Sequence, residues 1–212
     1  MKKHYWKIEY SITICVIFAL ILLFLPSRFI ASKEASYISE WNSIYHKMEY
    51  VFNAMNAHVD SDIVLGLKNA QSNEKREQYM MNLVKSYLRL NPENKLKKRY
   101  KPSYMNSTKV NSKDEFYFDG LYLSQNNHIV GIKNVKDEDI YHPAFIMMFD
   151  VNGLKGPNKW GRDIFGINIF LDGHITPLGA GKDKDELSKN CSLEGMGVYC
   201  SYYYRIGGDF YE

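Results

Sequence analysis

The chain has 212 residues, 45% of them hydrophobic and 24% charged, a profile that excludes a disordered tail and fits one ordinary domain beyond an N-terminal anchor. The net charge is +3, and Lys2, Lys3 and Lys7 against Glu9 supply most of it, so the remainder is near neutral and no general affinity for nucleic acid is expected. Aromatics reach 15%, led by 17 Tyr, which suits half-buried strands or a contact surface.

Tyr10 to Leu25 reads YSITICVIFALILLFL, without a charge. At about 1.5 Å per residue, a helix over this run, extended through Phe29, Ile30 and Ala31, covers a bilayer's hydrocarbon core of roughly 30 Å. Cys15 serves there as a small apolar residue. The basic flank 1–7 stays on the cytoplasmic side by the positive-inside rule, which exports everything after Pro26. A cleaved secretory signal competes, but PSRFIAS after Leu25 places Arg28 where small residues are required. The expected division is a basic flank (1–7), a transmembrane helix (8–31), its amphipathic continuation (32–58) and an exported head (59–212).

Glu9 stands at the edge of the apolar run, where a carboxylate needs a basic partner, and Pro26 lacks the amide that would continue the helical ladder. The spacing from Glu9 to Pro26 resembles the N-terminal helix of type IV pilins and type II secretion pseudopilins. That resemblance implies a leader cut between His4 and Tyr5, and packing of the helix with sister subunits through Glu9. The family's leader ends in glycine where this chain has His4, and Lys7 stands where the family is apolar. An uncleaved signal anchor is the other reading.

Beyond Pro26, Ile38, Trp41, Ile44, Tyr45, Met48, Val51, Phe52 and Met55 recur at steps of three and four, the stripe of an amphipathic helix facing a core. Asp60, Ser61, Asp62 and Gly66 break the pattern. A second helix is expected from Asn73 to Leu90, with Met80, Leu83, Val84, Tyr87 and Leu90 as its apolar face, ended by Asn91-Pro92. Lys95, Lys97, Lys98, Arg99 and Lys101 follow, interleaved with Tyr100 and Tyr104. That alternation suits single-stranded nucleic acid, although a solvated basic loop is the commoner meaning.

From Glu115 the period becomes two. Phe116 to Phe118, Leu121 to Leu123 and His128 to Ile132 read as strands around the turn Gln125-Asn126-Asn127, and Ala144 to Phe149 as another. Asp163 to Leu171, the pair Asp172-Gly173 and His174 to Thr176 read as a hairpin with a type I′ turn, closed by Pro177. The expected fold is α+β: a long N-terminal helix, membrane-spanning in its first half, packed on a small antiparallel β-sheet.

Between strands lies DVNGLKGPNKWGRD, residues 150–163, dense in oxygen donors and turn formers. Asp150 and Asn152, the Leu154 carbonyl, Asn158 and Asp163 can supply most of the 6 to 8 oxygens that Ca2+ takes. The glycine spacing excludes an EF-hand. The segment resembles the D-x-N-G-x-x-G-P-N-x-x-G-x-D-x-F stretch of many prepilin-type proteins, and is similar in placement to the calcium loop of major pseudopilins. A rigid loop in which the same side chains only bond backbone amides is the alternative.

Cys191 and Cys200, close together in an exported domain, are expected to form a disulfide. The histidines show no metal-ligand spacing and no nucleophile motif appears, so an enzyme is not expected. An exported hydrolase of Asp150, Asp163 and His174 is the catalytic alternative. The chain thus reads as a pilin-like or pseudopilin-like structural subunit at a bacterial inner membrane, head outward, with sister subunits as partners and no small-molecule substrate. A membrane-anchored surface-binding protein that does not polymerise is the second reading.

Overall fold

A computed structural model describes residues 2–58, 72–92, 96–118, 120–135 and 142–208. The architecture is α+β. Helix α1 covers Lys2–His58 and its assignment continues through Pro26. The chain divides into two compact units, Met1–Ser36 and Tyr37–Glu212.

In the first unit, every side chain described between 10 and 21 is exposed, including Ile12, Ile14, Val16, Ile17, Phe18 and Leu20. Among the described residues no helix is long and apolar enough to cross a membrane. The span expected over 8–31 is therefore not carried by them, because residues 10–21 are fewer than the about 20 a bilayer requires. The side chains of Glu9 and Pro26 lie outside the described ones.

The second unit is built on a six-stranded antiparallel meander in sequential order, with β1 Asn91–Pro92, β2 Gly120–Leu123, β3 Ile129–Asn134, β4 Phe145–Asp150, β5 Ile164–Ile169 and β6 Ile175–Pro177. Proline is tolerated at both ends of this order because an edge strand need not donate every amide. The pleat sends alternate residues of β4 to opposite faces. Phe145, Met147 and Phe149 join one core, while Ile146 and Met148 join another. Since both faces are covered, alternation in the central strands sorts side chains between two cores instead of between core and water.

The first core belongs to α1. Trp41, Met48, Val51 and Phe52 are at most 1% exposed, and the whole expected stripe is buried apart from Ile38, which is partly so. Trp41 stacks on Phe165 at 5.2 Å and 16°, and its Nε1 donates to the Ser201 carbonyl at 2.9 Å. Helix α2, Asn73–Leu88, starts at Ser72, whose hydroxyl accepts from Lys75 N. It stops two residues before the expected end. Arg89 adopts a left-handed conformation (φ 50°) and Leu90 N returns to Lys85 O at 3.1 Å, a closure that leaves Asn91-Pro92 free to pair as β1. Its buried face is Met80, Met81, Val84 and Leu88, rotated from the expected one, with Tyr87 42% exposed.

The second core is assembled from the middle of the chain. Helix α3, Leu96–Arg99, and the segment to Phe118 cover the far face of the sheet, and Trp160 sits there edge-on to Phe116 at 5.5 Å. Residues 116–118, expected as a strand, form none. Tyr117 N closes a turn on Asp114 O at 3.2 Å, which takes its amide out of ladder pairing, and Lys133 Nζ donates to the carbonyls of Asp114 and Glu115 beside it.

Two hairpin turns share one design. In the β5–β6 turn, Gly173 N donates to Phe170 O and Phe170 N to His174 O, each at 3.0 Å, and only Gly173 of the Asp-Gly pair has positive φ (82°). That is a three-residue loop with a G1 bulge in place of the expected type I′ turn. The β2–β3 turn repeats it with Asn127 (φ 63°) in the glycine position. Asn56 of α1 lies where a Cβ on Gly173 would stand, so helix packing also requires the glycine. Helices α4, Lys184–Asn190, and α5, Cys200–Tyr203, close the unit, joined by the Cys191–Cys200 disulfide.

Replacing Trp41 by Ala should destabilise the second unit by about 3 to 5 kcal/mol, since an indole and its hydrogen bond leave a cavity between helix and sheet. Urea unfolding of the two proteins measures this directly, and an unchanged midpoint would contradict the packing described.

Candidate functional site

The loop after β4 is organised by two carboxylates, Asp150 and Asp163, both 0% exposed. Asp150 is the last residue of β4 and belongs to the second face, where Tyr100 donates its hydroxyl to Oδ2 at 2.9 Å. Asn152 N donates to its Oδ1 at 3.2 Å. Asp163 precedes β5 and collects three donors: Asn158 N at 2.9 Å, Lys159 N at 2.6 Å and Asn152 Nδ2 at 3.0 Å. Asn152 Nδ2 also reaches Tyr37 Oη of α1 at 2.8 Å, and its Oδ1 is buried without a hydrogen-bond partner.

Asn158, itself left-handed at φ 50°, turns its amide onto Gly153 O, Asp150 Oδ2 and Lys155 O at 3.1, 3.2 and 3.2 Å. With nitrogen inward the amide donates to this group, although two protons cannot serve three acceptors fully. With oxygen inward, four oxygens face one another, an arrangement that a cation or the proton of a neutral Asp150 would relieve.

The expected five ligands are accordingly divided. Asp150 and Asn158 converge. Asp163 does not join them, because its oxygens are taken by amides, and Asn152 faces Asp163 with its nitrogen. The carbonyls at the cluster are those of Gly153 and Lys155 in place of Leu154, whose side chain is 36% exposed. Among the described residues no three His, Cys, Asp or Glu side chains converge to hold a metal. One carboxylate, one amide and two carbonyls suit a hard, oxygen-seeking ion such as Ca2+, with waters completing its shell. Gly153 has φ 69°, and a Cβ there would meet Asn127 O at 2.1 Å, so the loop leans on the β2–β3 turn.

Burial raises the Asp150 carboxyl well above the usual carboxylate range, and the charge of Asp163 raises it further, against the lowering by its hydrogen bonds. Asp163 is also raised by burial, and the Lys159, Asn158 and Asn152 donors oppose it. The Tyr100 hydroxyl is pushed well above its ordinary value by burial and by Asp150, so it remains a donor at every physiological pH.

Tyr100 also changes the meaning of the basic run. It and Tyr104 are each 5% exposed in the second core, so neither ring is available to stack on a base. Arg99 and Lys101 are exposed, Lys95 lies outside the described residues, and so do the side chains of Lys97 and Lys98. His174 stacks on Phe170 and pairs with Asp172 at the opposite end of β5 from Asp163. A strand of this length separates them by about 20 Å, so a catalytic trio with Asp150 and Asp163 does not assemble. Tyr100 and Lys155 are the site residues that spacing alone does not reveal. Comparison with protein-family models, curated proteins and solved structures gives no match to this chain.

A carboxyl whose folded pKa exceeds the unfolded value of about 3.9 favours folding fully below that value, and the contribution is lost as pH rises through the folded one. In chelator, the urea midpoint should therefore fall as pH climbs from about 4 towards neutrality. Asp150→Asn should flatten the fall, and an equal slope in that variant would rule out Asp150 as its source.

Proposed function

We propose that this chain is a pilin-like or pseudopilin-like structural subunit of a bacterial envelope filament or secretion machine. The observation that carries the reading is the division of labour along α1. Its residues 41–55 are the centre of the first core, while residues 10–21 expose an apolar surface on every side. Apolar side chains in such number are normally covered, and lipid or sister helices are the covers that an N-terminal helix flanked by Lys2, Lys3 and Lys7 selects. The resemblance in the Glu9 to Pro26 spacing agrees with this and assigns Glu9 the role of neutralising a neighbour's basic group.

Ca2+ is proposed for the loop from Asp150 to Asp163, with Asp150, Asn158 and the carbonyls of Gly153 and Lys155 as ligands. Asp163 and Asn152 hold the loop in shape. The cation would favour the ionised form of Asp150, so its stabilising effect grows as pH rises through the range in which that carboxyl titrates. The second reading, an anchored protein that binds a surface without polymerising, shares every feature except the sister contacts.

Mass spectrometry of the membrane-extracted protein separates the two readings. A methylated Tyr5 terminus is expected of a filament subunit, and an intact Met1 on all of the protein would defeat filament entry through a processed leader. For the loop, saturating Ca2+ should raise the melting temperature of the parent chain and leave Asp150→Asn unmoved. If calcium moves both alike, or neither, the cation assignment is wrong.

A further inference from the structure

A second polar-rimmed hollow, separate from the oxygen cluster, opens where α1, the end of α2 and the β2–β3 turn meet, with a volume of about 180 Å³. Helix α1 contributes Glu40, Ser43, Ile44 and Lys47, whose spacing puts them on one face. The floor is apolar: Ile44, Leu88, Val130 and Phe149 are each at most 9% exposed. The rim holds two cations, Lys47 and Arg89, against one carboxylate, and that carboxylate is engaged. His128 Nε2 lies 3.3 Å from Glu40 Oε1, and burial holds the imidazole below its usual range, so at neutral pH it meets Glu40 as a neutral donor.

Arg89 is the informative residue. It occupies the left-handed position that ends α2 (φ 50°), where glycine or asparagine is the easier choice. Strain of that kind at the edge of a cavity points to a role for the side chain. Its Nη1 donates to Gln125 Oε1 of the β2–β3 turn at 2.6 Å, which fixes the guanidinium beside the hollow and leaves further donors on the same fork. The space suits a solute of about six to eight heavy atoms.

We infer that this hollow binds a small carboxylate with a compact apolar body, the carboxylate on Lys47 and Arg89 and the hydrocarbon over Ile44, Leu88, Val130 and Phe149. The sequence offered no hint of such a ligand, since the lining comes from four separate stretches. Binding here is independent of whether the chain polymerises.

Calorimetric titration of the full chain in nanodiscs, with empty nanodiscs subtracted, would use 4-methylpentanoate as probe and 4-methylpentanamide as its uncharged counterpart. Saturable heat is expected for the acid alone. Lys47→Gln should weaken it about tenfold. Arg89→Gly should weaken it at least as much while the melting temperature holds or rises, because glycine relieves the left-handed backbone. Absence of saturable heat up to about 10 mM acid would overturn the inference. Equal binding of acid and amide, or parent-like binding by Arg89→Gly, would do so as well.

Discussion

The indole of Trp41 is the meeting point of three stretches that are remote in sequence. It is carried by α1, stacked on Phe165 of β5, and satisfied by the carbonyl of Ser201. A buried N–H left unpaired costs about 1 to 3 kcal/mol, so the C-terminal segment must arrive before the first core is complete. Ser201 is itself fixed, its hydroxyl donating to Val198 O at 3.0 Å and accepting from Gly166 N at 2.9 Å. The neighbouring disulfide restricts the same segment. Residues 41–55 of α1, the sheet and the chain end are consequently parts of one core.

On the other face of the sheet the governing constraint is electrostatic. The pleat that turns Phe149 towards Trp41 turns Asp150 the opposite way, into a layer of aromatic and aliphatic side chains. Two fully buried carboxylates in one loop are costly, and the chain meets the cost differently at each. Asp163 receives three amide donors and becomes the pivot around which residues 152–159 turn. Asp150 is held by the Tyr100 hydroxyl and the backbone amides of Asn152 and Gly153, and its Oδ2 lies beside the Asn158 amide. Gly153 rests against Asn127, so the loop adjoins the turn that also edges the hollow beside Arg89.

These features agree with a part that works by contact. Residues 10–21 of α1 are exposed and largely apolar, residues 41–55 carry the stripe committed to the core, and the loops between strands present polar groups in fixed positions. The Cys191–Cys200 loop displays Leu193, 70% exposed, and Met196, 38% exposed, on a covalently closed frame. Exposed apolar groups on a closed frame of this kind are compatible with the contacts proposed above.

Periodicity alone located the stripe from Trp41 to Met55, because a helix must turn the same side chains to a core every three or four positions wherever that core comes from. The strands of Ala144–Phe149 and Asp163–Leu171, and the pairing of Cys191 with Cys200, were legible for equally local reasons. Other features depended on what the chain meets on folding. The buried face of α2 takes in Met81 and Leu88 against the sheet, and residues 116–118 leave the strand pattern where Tyr117 N closes a turn on Asp114 O. Asp150 and Asp163 look alike as letters, and only tertiary placement gave Asp150 the Tyr100 hydroxyl from outside its own loop, while the Asp163 donors come from within it. Sequence determines which groups a segment can offer. Which of them are satisfied, and which are left to meet a ligand, is decided by partners that are distant along the chain.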